Sequence, residues 1–274
     1  MISLTLQNIF IAVGLFVTSY YTFRFVFLLV DILLPGKSLS NYGAGKDGWA
    51  VVTGATDGIG RALCIEMAQK KMNLILVSRN MEKLNTLKAE LEEFGIKVKV
   101  VSIDFASAAS KDWDSVKNVI ESVNVSALIN CAGLSHDYPK PFEQEDLSRC
   151  DDILEVNCNS LTKMTRLVIP RMKTRRNGLI LNIGSFVSTV PSPYLAMYSG
   201  SKSFVQVFSQ ALGAELARCG SSQPFTTVPY FSHALINYIV ETYMSRKFWL
   251  NLSKGHLEGI RKRALAKQAK AKKQ

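Results

Sequence analysis

The chain has 274 residues, a hydrophobic fraction of 47% and a formal net charge of +11, enough length for one large α/β domain with appendages. Three scattered histidines (His136, His233, His256) and five cysteines (Cys64, Cys131, Cys150, Cys158, Cys219) without a C-x-x-C pair exclude a zinc site and point to free thiols in a reducing compartment. The charge excess is local: Arg261–Gln274 carries seven basic and no acidic side chains, and without it the balance falls to about +4. No zinc finger, stacking-aromatic surface or helix-turn-helix pattern accompanies it, so nucleic acid is not an expected partner.

The first element, Ile9–Val30, holds one charge, Arg24, in 22 positions and is closed by Pro35-Gly36. As a helix it rises about 33 Å, enough to cross a hydrocarbon core. No basic stretch precedes Ile9 and no small-residue cleavage site follows, so a retained membrane anchor is expected rather than a cleaved signal. Lys37 and Lys46 follow the span, which places the body of the chain on the cytosolic side.

Trp49–Thr53 is a short apolar run and the first expected strand. A G-x-x-x-G-x-G turn follows (Gly54, Gly58, Gly60), then a helical pattern over Ala62–Lys70. Strand, glycine turn and helix in that order bring backbone N–H groups and a positive dipole end to a phosphate. Thr53, Gly54, Asp57, Gly58, Ile59 and Gly60 are the candidate pyrophosphate-binding residues. The second strand is expected at Asn73–Val77. Ser78-Arg79 follows it, where an acidic residue would accept ribose hydroxyls. An arginine suits a 2′-phosphate instead, so the expected cofactor is NADPH. A helix at Met81–Phe94, a strand at Lys97–Ser102, a helix at Trp113–Ser122 and a strand at Ala127–Asn130 continue the alternation. This pattern predicts an α/β fold: a Rossmann-like, doubly wound parallel sheet. Asp104 and Asn130 fall just past strand ends, Asp104 placed to hold adenine and Asn130 to steady the sheet edge.

Asp151–Arg166 predicts a helix carrying Asn157, and Gly178–Ile183 a fifth strand ending at Gly184-Ser185. Tyr198-Ser199-Gly200-Ser201-Lys202 runs into a helical pattern at Phe204–Leu216, so Tyr198 and Lys202 stand one turn apart on one face. Carbonyl reduction needs a hydride donor and a proton donor. A tyrosine is a costly phenolate former at a pKa of about 10, and a neighbouring ammonium lowers that cost. Lys202 supplies that ammonium and a hold on the nicotinamide ribose. Ser185 can orient the substrate oxygen, and Asn157 can distort its helix and hold a water that links Lys202 to solvent.

With TGATDGIG (Thr53–Gly60), NCAG (Asn130–Gly133), Asn157, Ser185 and YSGSK (Tyr198–Lys202), the chain resembles the short-chain dehydrogenase/reductase superfamily. Within it, the anchor, NLILVSRN, SFVSTVPSPYLAMYSGSKSF and the basic tail resemble the fungal branch of microsomal very-long-chain 3-oxoacyl-CoA reductases. The resemblance implies Tyr198 as acid/base, Lys202 as its partner, Ser185 and Asn157 as the rest of a tetrad, and a very-long-chain acyl-CoA substrate. It implies an endoplasmic-reticulum membrane protein acting with the condensing enzyme, dehydratase and enoyl reductase of the fatty-acid elongation cycle. Lys270 and Lys272 fit a dilysine retrieval signal, and a charge run attracted to membrane lipid is the other reading. A related branch reduces 17-keto steroids.

One departure stands out. After Ala217 the family continues with a sixth strand and a substrate-binding segment, of which roughly fifty residues are expected to be missing here. Phe225–Val228 offers only a short substitute strand, and a catalytically weak scaffold that still binds NADPH is the competing expectation. The domain plan is therefore an anchor at 1–35, an NADPH-binding catalytic domain at 36–217, a shortened region at 218–260 and a basic tail at 261–274. Within the shortened region, His233–Trp249 is amphipathic, and either lies at the membrane interface or packs on the domain.

Overall fold

The structure, a computed structural model, describes residues 2–33, 38–217 and 246–271. Two compact units are present, one holding the N-terminal helix and the other the sheet domain with the C-terminal helix. In the first, α1 spans Ile2–Leu33. Its Thr5–Phe27 stretch has a mean hydropathy of 1.6 with none of that surface buried, so it is long and apolar enough to cross a membrane.

The second unit is built on β1 (Trp49–Thr53), α2 (Gly58–Gln69), β2 (Asn73–Ser78), α3 (Met81–Glu92), β3 (Val98–Ser102), α4 (Ser110–Glu121) and β4 (Val125–Asn130). It continues through α5 (Leu147–Leu154), a π turn (Glu155–Asn159), α6 (Ser160–Arg175), β5 (Leu179–Asn182), α7 (Ala196–Ala217) and α8 (Arg246–Ala271). The strands pair in parallel in the order β3-β2-β1-β4-β5. β1 lies between two neighbours and is buried on both faces, which is why its sequence is an unbroken apolar run.

Successive strand residues feed opposite faces. Ala50, Val52, Leu74, Leu76, Ala127 and Ile129 pack against Cys64, Met67, Leu84, Leu87 and Leu91 of α2 and α3. Val51, Ile75, Val77 and Leu128 pack against Val116, Ile120, Met164, Val168 and Met172 of α4 and α6, with Leu212 and Leu216 of α7. The predicted doubly wound α/β class is thus the observed one.

Several helices exceed their expected bounds: α2 starts at Gly58 and α4 at Ser110, and two others run further. The Asp151–Arg166 helix runs from Leu147 to Arg175, because the Pro170 ring interrupts its bonding without ending it and the π turn is absorbed inside it. The Phe204–Leu216 helix starts at Ala196 and so takes in Tyr198 and Lys202. Residues 218–245, which include Phe225–Val228 and most of His233–Trp249, lie outside the described residues. The boundary expected at 260/261 falls inside α8, whose basic residues continue one helix.

Candidate active site

β1 and β4 are paired neighbours at the point where the strand order reverses, and the carboxyl ends of the strands form the crevice there. Gly54 sits at this point with φ +65, and a Cβ on it would lie 2.9 Å from the Cα of Ala132. Only glycine lets the two strand ends approach so closely. The Thr53 hydroxyl is buried beneath them and accepts the N–H groups of Cys131 (3.0 Å) and Ala132 (3.1 Å).

Asp57 caps α2 through the N–H of Gly58 at 2.8 Å. Gly58 has φ +50 and no atom within 4 Å of a built Cβ, while Gly60 lies against the Gly54 carbonyl. The result is an open helix N-terminus with an exposed Ile59 beside it, a cradle that fits a pyrophosphate. Arg79 follows the end of β2 and is exposed. Ser78 hydrogen-bonds Thr56 of the glycine turn at 2.8 Å, which joins that strand end to the cradle. Asp104 is exposed past β3, its carboxylate taking the N–H of Ala106 at 3.2 Å. Asn130 is buried and donates to Thr165 (3.1 Å) and Asn182 (2.8 Å), tying β4 to α6 and β5.

Tyr198 and Lys202 share one face of α7. The Lys202 ammonium is 5.9 Å from the Tyr198 ring centre and donates to the Ile183 carbonyl at 2.9 Å. Lys202 is only 6% exposed, and burial pushes its ammonium below the ordinary lysine range, a shift that the Cys131 and Cys158 thiols partly oppose. Asn157 lies in the π turn and is 1% exposed. Its Oδ1 accepts the N–H of Leu134 (2.7 Å), and its Nδ2 donates to the Leu134 carbonyl (2.9 Å) and to Ser201 (2.9 Å). Both amide hydrogens are thereby spent, leaving Oδ1 for any water. Asn157 and Lys202 flank Gly133: a Cβ there would meet Asn157 Oδ1 and Lys202 Nζ, each at 3.6 Å. Ser185 is half-buried at the end of β5 and caps a short 3-10 turn at Phe186–Ser188.

The fold thus gathers Asn157, Tyr198 and Lys202 at the ends of β4 and β5, with the glycine cradle at the end of β1. Reading the sequence missed three side chains in the same region: His136, Lys140 and Glu145. His136 Nδ1 pairs with Glu145, Lys140 reaches the same carboxylate at 2.8 Å, and His136 Nε2 accepts the N–H of Tyr198 at 3.4 Å. The helix α8 is tied to the loops around this region. Glu258 accepts the Tyr194 hydroxyl (2.8 Å), and Arg261 donates to Gln144 (2.8 Å).

Residues 48–222 match the short chain dehydrogenase family, and the chain belongs to that family. Among its relatives is the very-long-chain 3-oxoacyl-CoA reductase of Mycosarcoma maydis, 34% identical over 94% of this chain and 89% of that one. The protein of the same name from Neurospora crassa is 37% identical over 90% and 89%. Among solved structures, a short-chain dehydrogenase from Sphingobium yanoikuyae in complex with NADPH superposes with a TM-score of 0.59 at 30% identity, covering 64% of this chain and 68% of that one. The Mycosarcoma alignment runs over 312 positions, more than the 274 residues present here. The relative therefore carries internal positions that have no counterpart in this chain.

Proposed function

We propose that the chain reduces very-long-chain 3-oxoacyl-CoA to 3-hydroxyacyl-CoA with NADPH. The observation that carries this reading is the meeting of buried Lys202 and Asn157 at Gly133, with Tyr198 one turn from Lys202 on α7 and an open glycine cradle one strand away. The family and the names of its relatives support the substrate class, and the arginine after β2 supports the phosphorylated nicotinamide cofactor. When bound, that cofactor supplies the hydride.

The residues of the chain do the rest. The α2 N-terminus and the glycine turn hold the pyrophosphate, and Arg79 meets the 2′-phosphate. Lys202, fixed by the Ile183 carbonyl, sets its positive charge one turn from Tyr198, whose phenol hands its proton to the carbonyl oxygen. Ser185 orients that oxygen. Asn157 holds Leu134 and Ser201 in place, and its π turn sets the spacing between them. In the same reading α1 anchors the protein in the endoplasmic-reticulum membrane, the sheet domain faces the cytosol, and the partners are the other enzymes of the elongation cycle.

The test uses the full chain in detergent. NADPH oxidation is expected with a long 3-oxoacyl-CoA, and Tyr198→Phe is expected to remove it while leaving cofactor binding intact. NADPH binding without turnover of any 3-oxoacyl-CoA would refute the reading and favour the scaffold. Arg79→Asp is expected to shift preference towards NADH, and indifference to it would refute the cofactor assignment.

A further inference from the structure

The loop between β4 and α5 buries three polar side chains that the tetrad does not use. The side chains of His136 and Glu145 are each 2% exposed and that of Lys140 is 10% exposed. Their contacts form a chain. Lys140 and His136 each bond one oxygen of the Glu145 carboxylate, and the far nitrogen of His136 receives the main-chain N–H of Tyr198. A ring nitrogen that accepts a hydrogen bond carries no proton, so the proton of the neutral ring sits on Nδ1, facing the carboxylate.

Tyr198 is the third residue of α7. Its N–H belongs to the first turn, where the helix offers no internal acceptor. Among the described residues, this N–H makes the hydrogen bond that ties the His136 ring to an element outside its own loop. The main-chain N–H of Lys140 bonds the Tyr194 carbonyl at 3.2 Å, and Tyr194 has φ +66 at the bend leading into α7. The loop therefore grips the entry to α7 twice, while Asn157 holds its other end at Leu134. Packing alone does not require such groups. Taking a carboxylate, an ammonium and an imidazole out of water carries a desolvation cost that apolar side chains would not incur.

We propose that His136, oriented by Glu145 and Lys140, is a positioning residue for Tyr198: it holds the first turn of α7 so that the phenol stands at the height and rotation the proton transfer needs. It does so through the main chain, without touching substrate. The inference rests on the proposed carbonyl reduction at the same site, but not on which carbonyl is reduced.

The test compares His136→Phe and His136→Gln in the full chain in detergent. Each is assayed with NADPH and with NADPH deuterated at the transferred position, on 3-oxoacyl-CoA and on a 17-keto steroid. Phenylalanine keeps the bulk and loses both hydrogen bonds. Glutamine offers an acceptor and a donor about as far apart as the two ring nitrogens. The phenylalanine variant is expected to lose about tenfold to a hundredfold in kcat, with KM and NADPH affinity within about twofold of the parent. Its deuterium isotope effect on kcat is expected to rise, because the chemical step then limits turnover. The glutamine variant is expected to recover most of the rate. A merely structural role would lower the active fraction and leave the isotope effect unchanged, and that result would overturn the proposal. So would equal rates in the two variants, or an unchanged rate in His136→Phe. Should His136→Phe not fold, Glu145→Leu, which frees the ring, is expected to be slow, and Glu145→Gln, which keeps an acceptor for Nδ1–H, is expected to stay near the parent; equal rates there also overturn it. Turnover of the steroid alone refutes the acyl-CoA reading and leaves the positioning comparison standing on that ketone. A parent that reduces neither ketone ends both.

Discussion

Gly60→Ala and Gly58→Ala should separate two uses of glycine in one turn. A Cβ at residue 60 falls 2.2 Å from the Gly54 carbonyl oxygen and 2.9 Å from its carbon. Both atoms are backbone, so no side chain can swing aside, and the turn must open by about 1 Å to restore ordinary contact distances. Overpacking of that kind costs about 1–3 kcal/mol, which for a domain of this size lowers the melting temperature by about 2–12 °C. Residue 58 is the opposite case: its φ is +50, but a Cβ meets nothing within 4 Å. The left-handed backbone costs roughly 1–2 kcal/mol in alanine, partly offset by about 0.4–1 kcal/mol of reduced freedom in the unfolded chain. Its melting temperature should therefore fall by only a few degrees. Thermal unfolding of the two variants, with NADPH binding followed by fluorescence, reads both effects. Gly60→Ala is expected to lose stability and binding together. A Gly60→Ala protein that melts within about a degree of the parent, or a Gly58→Ala protein that falls as far, would refute the steric account.

Thr53→Val removes the acceptor of two N–H groups under the Cys131-Ala132 turn. It is expected to destabilise the domain by about 1–3 kcal/mol, and a melting curve superimposed on the parent's would show that those groups find another partner. Burial pushes the Cys64 thiol up to about 12 and raises Cys131 and Cys158 as well. The buried pair Cys64 and Cys158 should resist a disulfide reagent at pH 8 until the domain unfolds, and rapid labelling of the folded protein at either, located by mass spectrometry, would contradict that burial. Burial pushes the Glu145 carboxyl up, but hydrogen bonds from Lys140 and His136 outweigh it and leave the group below its ordinary value of 4.5. The hydrogen bond to Glu145 raises Lys140 above 10.5. A lowered acid stabilises above its unfolded pKa and loses that on acidification, while a raised base stabilises below its unfolded pKa and loses that as pH climbs. Parent and Glu145→Gln should therefore differ most in stability between about pH 5 and 10 and converge outside it; a constant difference from pH 3 to 8 would exclude the linkage.

Local pattern made much of the sheet legible. The apolar run Trp49–Thr53 is β1 from end to end, because a central parallel strand buries every side chain. The glycine turn and the Tyr198–Lys202 pair are short-range patterns, and one loop or one helical turn realises each of them. The π turn is legible only in outline: Asn157 signals a distorted helix, but nothing in Asp151–Arg166 fixes an extra residue. The His136 network has no local signature, since it joins residue 136 to residue 145 in a loop and to residue 198 in a helix. Glu258 and Arg261 likewise carry no local signature, since tertiary packing brings them to Tyr194 and Gln144.

The π turn also bears on how the gene can change in length. From Leu147 to Arg175 the chain is one continuous rod with one surplus residue lodged at Glu155–Asn159. Removing any single residue near it would let the rod relax into regular winding, a local gain. That relaxation would turn Ile153 by about a third of a revolution relative to Met164 and Val168, and all three are buried. It would also carry Asn157 away from Leu134 and Ser201. In-frame codon losses between residues 147 and 175 should therefore be purged even where each residue tolerates substitution, whereas the exposed turn at Gly95 should absorb them.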